Sequence, residues 1–140
     1  FKDLDKDFLN ISRTDDDSFI YKATDVLVQS SWELPIVVQY PNSSIDFEFT
    51  TAMGDIVFGI MFVAALEDGQ AEEDMHAETI DEMGRVLSDV ESYSGSFTPR
   101  CEGVVFFVWD NTHDWYSNKN VSYKIELHQV CLSVCLPAYL

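Results

Sequence analysis

The sequence predicts an all-β fold, an antiparallel two-sheet sandwich of the jelly-roll kind, and three observations lead to it. Hydrophobic residues make up 46% of the 140 residues and aromatic residues 14%, which is the composition of a packed globular protein. From residue 20 onward the apolar residues recur with a period of two, which is the spacing of strands. The runs 56–63 and 104–109 are apolar on both faces, apart from Gly59, as central strands are.

The first eleven residues are an exception to this strand pattern. Their apolar residues recur at helical spacing with charged residues between them, namely Phe1, Leu4, Phe8 and Ile11. This spacing predicts a short amphipathic helix, and the acidic residues 15–17 that follow predict a solvated linker. Residues 1–19 are therefore interpreted as a helical and linker segment. Because the first residue is not Met, we expect the chain to be a segment of a longer protein.

The strands of the predicted sandwich occupy residues 20–127. The pattern predicts main strands at 20–29, 34–39, 44–50, 56–63, 104–109 and 121–127, with short strands at 86–90 and 93–97. Pro35 places the second strand near a sheet edge, because proline cannot donate a backbone hydrogen bond. Six inward aromatic side chains are expected to share one core, namely Phe47, Phe49, Phe58, Phe62, Phe107 and Tyr123.

Two segments of the chain have no place in the predicted sheets. Residues 64–85 predict a long surface loop, because eight of the sixteen residues from Glu67 to Glu82 are acidic. We expect this loop to be mobile, dispensable for folding and available to a basic partner. Residues 128–140 form an uncharged apolar tail that is far too short to span a membrane.

The charge of the chain excludes nucleic acid as a partner. Eight basic residues stand against 25 acidic ones, which gives a formal net charge of -17. Such a chain repels phosphate backbones and anionic lipid headgroups over a Debye length of about 10 Å. A basic protein surface or a divalent cation is the natural counterpart of this charge.

The cysteines predict free thiols. The chain has three of them, Cys101, Cys131 and Cys135, and an odd number without a CxxC pair matches neither a disulfide framework nor a zinc site. We expect all three to be reduced, as in the cytoplasm. Three Asn-x-Ser sequons leave a lumenal location open, and they begin at Asn10, Asn42 and Asn120.

No catalytic, cofactor-binding or metal-ligating residue is predicted. The three histidines, His76, His113 and His128, have no nucleophile in a recognisable elbow and no ligand spacing around them. Asp46 and Glu48 lie about 7 Å apart on one face of a strand, which suits paired-carboxylate chemistry, yet they alternate with core residues as on any exposed strand. The chain is therefore interpreted as a binding module and not as an enzyme.

Four segments, taken in order, resemble the GOLD (Golgi dynamics) domain of membrane-trafficking proteins. They are SIDFEFTT at 44–51, DIVFGIMF at 55–62, GVVFFVWDN at 103–111 and KNVSY at 119–123. In the family they correspond to a polar-aromatic-Glu-Phe strand, an Asp-Ile strand, a Gly-x-Tyr strand ending in aromatic-Asp-Asn, and Lys-x-Val-x-Tyr. The sequence departs from this pattern at Val105, where the family usually has Tyr, and at Asn118, where many members have Ser.

The resemblance implies a non-catalytic domain that recruits partner or cargo proteins. The transmembrane cargo-receptor branch of the family has a cysteine at the position of Val108, so this chain looks more like the cytosolic GOLD domains of adaptor and lipid-transfer proteins. These lie at the periphery of Golgi or endosomal membranes. Partners are expected at a sheet edge or at the acidic face. The alternative is a lipid- or membrane-associated accessory domain, whose apolar tail and N-terminal helix touch the bilayer.

Overall fold

A computed structural model describes residues 10–13 and 18–129, except for 67–68, 70, 72–74 and 115–116, and residues 10–13 by their backbone alone. Within these residues the chain forms nine strands and no helix. The strands are β1 (Asn10–Arg13), β2 (Ser18–Val28), β3 (Ser31–Val38), β4 (Ser44–Ala52), β5 (Ile56–Ala64), β6 (Ala77–Val86), β7 (Tyr93–Phe97), β8 (Gly103–Asp110) and β9 (Lys119–His128).

The strands form two antiparallel sheets, which confirms the predicted fold class. One sheet has five strands in the order β1-β2-β9-β4-β7, and the other has four in the order β3-β8-β5-β6. The two doubly apolar strands, β5 and β8, are the inner strands of the second sheet, as predicted. Pro35 lies on β3, which is an edge strand, as predicted. An edge strand tolerates proline because no neighbouring strand needs the backbone donor that proline lacks.

The core lies between the sheets and is rich in aromatic rings. All six aromatic residues that were predicted to share it are buried. Trp109 joins them with no exposed surface, and its ring centroid lies 5.4 Å from that of Phe58. Phe49 and Phe58, which come from opposite sheets, have centroids 4.5 Å apart. Such tilted ring pairs contribute about 0.5–1.5 kcal/mol each beyond the area they bury.

The predicted N-terminal helix is wrong at its C-terminal end. Asn10 and Ile11 belong to β1, which pairs with β2 from Asn10 opposite Lys22 to Arg13 opposite Phe19. The outer edge of β2 offers free backbone donors and acceptors, and pairing with them overrides a weak local helical spacing. Residues 1–9 of the predicted helix lie outside the described residues. The sheet structure therefore begins before residue 20, the predicted boundary.

The predicted acidic loop is wrong in its second half. Residues 77–86 form β6, which pairs with β5 along the edge of the four-stranded sheet. Register shifts opposite Phe58 and Ile60 break its alternation, so that Ile80 and Val86 alone among its residues pack against the core. The acidic side chains are tolerated because Glu82 is exposed, Glu78 pairs with Arg100, and Asp81 accepts a hydrogen bond from the Tyr93 hydroxyl.

The ends of β6 and β9 differ from the prediction in smaller ways. Val86 ends β6, and Ser88–Val90 form a turn in which the Val90 amide donates to the Leu87 carbonyl at 3.1 Å, so the strand predicted at 86–90 is wrong. The strand predicted at 93–97 is confirmed as β7. His128 ends β9, Gln129 is buried, and the rest of the predicted tail lies outside the described residues.

Candidate functional site

The outward faces of the two sheets differ in chemistry. The face of the five-stranded sheet is mostly polar, and we call it the polar face. Its side chains lie side by side in the cross-strand register of β2, β9, β4 and β7. They are Lys22, Asp46, Glu48, Thr50, Ser94, Ser96, Ser122, Lys124, Glu126 and His128.

Three ionisable groups meet at one end of the polar face, and we call them the histidine cluster: Asp46 of β4 and Glu126 and His128 of β9. Asp46 lies directly opposite Glu126 in the register of the two strands. The imidazole Nε2 of His128 lies 3.1 Å from Asp46 Oδ2 and 3.8 Å from Glu126 Oε2. One potential ligand atom from each of the three residues lies within 4.8 Å of the others, so the cluster is compact.

Two serines orient the histidine cluster. Ser18 Oγ on β2 lies 2.8 Å from Nδ1 of His128, so it fixes the ring with Nε2 turned toward the carboxylates. Ser96 on β7 donates to Oδ1 of Asp46. This bond lowers the pKa of Asp46, partial burial opposes it, and the contact with His128 lowers the pKa further. Asp46 is therefore ionised at neutral pH.

The contacts of Ser18, His128 and Asp46 resemble those of a nucleophilic triad, but the serine hydroxyl is not accessible to a substrate. Ser18 is only 3% exposed, so its hydroxyl cannot reach a substrate bound on the polar face. The two ring nitrogens are both engaged, one by Ser18 and the other by Asp46. The geometry suits the holding of a cation or a proton better than attack on a carbonyl.

The outward face of the four-stranded sheet is apolar, and we call it the apolar face. Cross-strand register aligns its side chains in rows, so that Pro35, Phe106 and Met61 lie in one row. The next row toward the end of the sheet contains Val37, Val104 and Val63. The apolar members of the face are Pro35, Val37, Val57, Met61, Val63, Met83, Val104, Phe106 and Val108, and the polar residues Ser31, Glu33, Thr79 and Asp110 lie on the same side of the sheet.

The apolar face is accessible in the described structure. Val37 and Met83 are each 43% exposed, and the other members of the face are partly exposed. Met83 reaches over Gly59 at the middle of β5, where an added Cβ would come within 2.3 Å of its sulfur. The glycine thus lets a flexible apolar side chain from the edge strand extend the face. In an antiparallel sheet with one solvated face, the outward side chains are normally polar. In this sheet most of the outward side chains are apolar.

The residues singled out from the sequence are distributed over the molecule. Asp46 and Glu48 both point outward from β4, as predicted, but Asp46 joins His128 and not Glu48. His113 Nε2 lies 3.4 Å from Asp55 Oδ1, at the other end of the sandwich. His76 is exposed in the segment before β6.

The motif at 110–119 is structural. Asp110 accepts a hydrogen bond from the Thr112 amide at 2.7 Å, and the side-chain amide of Asn111 donates to the Ser117 carbonyl at 2.7 Å. Lys119 is paired within the same region, because its ammonium lies 2.7 Å from Asp114 Oδ2.

Sequence reasoning missed the histidine cluster and the apolar face as candidate sites. His128 was weighed alone, because its partners are 82 and 110 residues away in the sequence. Asp46 is the one member that the sequence had singled out on strand chemistry. The apolar face corresponds to the outward residues of the doubly apolar runs, which were interpreted as central strands and not as an exposed surface.

Comparison with known proteins does not identify the chain. No family model matches it, and no curated protein matches it. Among solved structures, one described as "CBM4 structure and function" aligns over 87% of this chain and 75% of that chain, at 9% sequence identity and a TM-score of 0.28. A likeness this low supports no functional argument. In the described residues, no helix is long and apolar enough to cross a membrane.

Proposed function

We propose that this chain is a non-catalytic protein-binding module of the GOLD type, which recruits a partner in membrane trafficking through its apolar face. The observation that supports the proposal is the apolar face itself, a set of nine outward apolar side chains on one sheet. Contiguous apolar patches of this kind mark interaction sites on soluble proteins. The proposed setting is the cytoplasmic side of Golgi or endosomal membranes, as the resemblance to cytosolic GOLD domains implies.

The edges of the four-stranded sheet suit a partner less well than its face does. Strand addition needs a regular row of free donors and acceptors. On β3 the row is interrupted by Pro35, and on β6 it is interrupted by the register shifts between Phe58 and Met61. Proline and bulges are the devices by which proteins blunt sheet edges. A partner that packs flat on the apolar face avoids both obstacles.

The charges near the apolar face favour a partner segment that combines apolar and basic side chains. Glu33 on β3 and Glu82 on β6 are exposed at the two edges of the sheet. Arg85, the basic residue at the same end of β6, is engaged in an ion pair of 2.6 Å with Asp55. The net charge of -17 adds a long-range attraction for basic partners. Apolar contact would supply the affinity, and charge would raise the association rate.

The test is a quantitative pull-down with the full chain from cell extract, with substitutions matched across the two faces. Phe106→Thr and Met61→Thr remove apolar contact area on the apolar face. Glu48→Thr and Lys124→Thr introduce the same residue at outward positions of the polar face, where no apolar contact is lost. We expect the first pair to lose the specific partners at least tenfold and the second pair to retain them, with all variants keeping the far-UV circular dichroism of the wild type.

The outcomes separate the possible occupants of the face. Retention of all partners by Phe106→Thr and Met61→Thr would overturn the proposal. A variant that ends at Gln129 tests whether residues 130–140 cover the face. If they do, removing them increases both the binding of a hydrophobic dye and partner capture. Recovery that falls with rising salt is expected from the acidic edges.

The lipid-associated alternative relies on parts of the chain that lie mostly outside the described residues. Its two elements are the segment 1–11 and the tail 128–140, and no described contact favours a bilayer. Liposome flotation of the full chain distinguishes the two functions. We expect the protein to remain with the soluble fraction on anionic vesicles, because its charge opposes adsorption.

A further inference from the structure

We propose that Asp46, Glu126 and His128 form a binding site for a divalent transition-metal ion of the zinc type on the polar face. The site is separate from the apolar face, so it does not depend on the proposed protein-binding function. Imidazole nitrogen and carboxylate oxygen are ordinary ligands of Zn²⁺. Three protein ligands with a fourth position open to solvent are the pattern of accessible zinc sites.

The spacing of the three groups suits one tetrahedral ion. Ligands about 2.0–2.1 Å from a zinc ion lie about 3.3 Å from one another. The distances from His128 Nε2, 3.1 Å to Asp46 and 3.8 Å to Glu126, lie on either side of this value. The ligand atoms of Asp46 and Glu126 lie within 4.8 Å of each other, so the two carboxylates need to close by at most about 1.5 Å around an ion. The side chains are 52%, 35% and 32% exposed for Asp46, His128 and Glu126, so water can reach a fourth ligand position.

Two of the three groups, His128 and Asp46, have the hydrogen-bond partners that a metal site needs. Metal-binding histidines usually engage their second nitrogen in a hydrogen bond, which holds the ring in place. Ser18 does this for Nδ1 of His128 at 2.8 Å, and a hydroxyl can donate to that nitrogen or accept from it. The same contact therefore serves the ring with and without a metal at Nε2. Ser96 fixes the second oxygen of Asp46 in the same way.

The strand register supplies an independent reason for a cation. Asp46 and Glu126 are directly opposite each other on neighbouring strands. Like charges in that position destabilise a sheet unless something neutralises them. One imidazole cannot balance two carboxylates even when it is protonated. Of the two lysines in the adjacent row, Lys124 is directly opposite Glu48, which leaves Lys22 alone to offset the remaining charge. A divalent ion bound by all three groups would remove the repulsion.

The test is calorimetric titration of the full chain with Zn²⁺ and of variants that each change one group. His128→Asn and Glu126→Gln remove a ligand, and Ser18→Ala removes the hydrogen bond that orients the ring. We expect one high-affinity site in the wild type, with affinity at least tenfold weaker in each variant, since even the partners of ligands are worth 10–100-fold. The matched controls are His113→Asn and His76→Asn, which should bind as the wild type does.

A second probe distinguishes this site from the cysteines. Co²⁺ bound to nitrogen and oxygen ligands gives visible bands without the strong near-ultraviolet thiolate band that a cysteine ligand adds. The proposal is overturned if the wild type binds no Zn²⁺, if His128→Asn binds it unchanged, or if the thiolate band dominates. Should His128→Asn fail to fold, Glu126→Gln decides the matter, because Gln has the same shape and Glu126 is partly exposed.

Discussion

Lys119 is a charged side chain that the fold has buried almost completely, with 1% of it exposed. Its ammonium is held by Asn111 Oδ1 at 3.0 Å and by Asp114 Oδ2 at 2.7 Å. Gly54 gives it room, because a Cβ there would come 3.1 Å from Cε of the lysine. This network ties the start of β9 to the turn after β8, so the Asp-Asn and Lys motifs act together in folding.

Removing Asp114 should therefore cost more than removing the lysine. Asp114→Ala leaves the ammonium buried with one neutral acceptor, and we expect a loss of about 3 kcal/mol, at the low end for a buried pair because Asp114 is 34% exposed. Lys119→Met leaves an unpaired amide oxygen on Asn111 and removes the ion pair of Asp114. Because Asp114 is 34% exposed and keeps its hydrogen bond from Ser117, the variant should cost about 1–2 kcal/mol. Urea denaturation of both variants and of the double variant gives the coupling. Equal costs would show that the ammonium reaches water without Asp114.

At the scale of elements, two deletions of the acidic segment should differ in their effect on stability, because only one of them removes part of β6. Replacing residues 67–75 with a short Gly-Ser linker removes no residue of a described strand, and we expect stability to change by about 0.5 kcal/mol or less. Deleting residues 67–82 also removes the first six residues of β6 and the packing of Ile80. Burial of an isoleucine alone is worth roughly 1.5–3 kcal/mol. Thermal unfolding of the two variants checks this, and equal melting temperatures would contradict it.

The start of β5 is tied to two other elements by Asp55. Its carboxylate meets Arg85 of β6 at 2.6 Å and His113 of the turn after β8 at 3.4 Å. Partial burial alone would raise the pKa of Asp55, but the hydrogen bonds from Arg85 and His113 outweigh burial and lower it. A lowered pKa means that the folded state prefers the ionised form, so these contacts stabilise the fold above the unfolded pKa of about 3.9.

Asp55→Asn should accordingly destabilise the domain at pH 7, and the difference should shrink as the pH falls below about 3.9, the unfolded pKa. The stabilisation from Asp55 is lost as the pH falls through its lowered folded-state pKa, so the wild type and the variant converge in acid. We expect a difference of less than about 1 kcal/mol at pH 7, because Arg85 is 63% exposed. Urea titrations at several pH values measure it. Glu91→Gln, an exposed change on the β6–β7 turn, is the control and should show no such convergence.

At the scale of the whole molecule, the apolar face and the net charge oppose each other. The charge of -17 keeps copies of the chain apart at low salt, whereas the apolar face favours their association. We expect the protein to be monomeric at low ionic strength and to self-associate in about 1 M salt, where the Debye length falls to about 3 Å. Sedimentation velocity in the two buffers measures this. Phe106→Thr should remain monomeric in both, and Lys124→Thr should behave as the wild type does.

Most of the fold could be predicted because a strand with one buried face has a local sequence pattern, the alternation of apolar and polar residues. In β4 the alternation of Ile45, Phe47 and Phe49 with polar residues predicts one buried and one wet face, and those three side chains are buried. Two strands, β6 and β1, do not show this alternation in their sequence. The alternation of β6 is broken by its register shifts, and β1 forms against a local helical spacing. In both cases an unpaired sheet edge elsewhere in the molecule determined the structure.

The sequence by itself determined the sandwich, its aromatic core and its acidic surface, because each depends on composition or on the alternation of neighbours along the chain. Only the tertiary structure decided that His128 meets Asp46 and Ser18, since strand order brings together residues 82 and 110 positions apart. It also decided that the outward side chains of β5 and β8 form one exposed apolar face. Period and composition can show that a strand is apolar on both sides, but which side stays uncovered depends on how the two sheets pack.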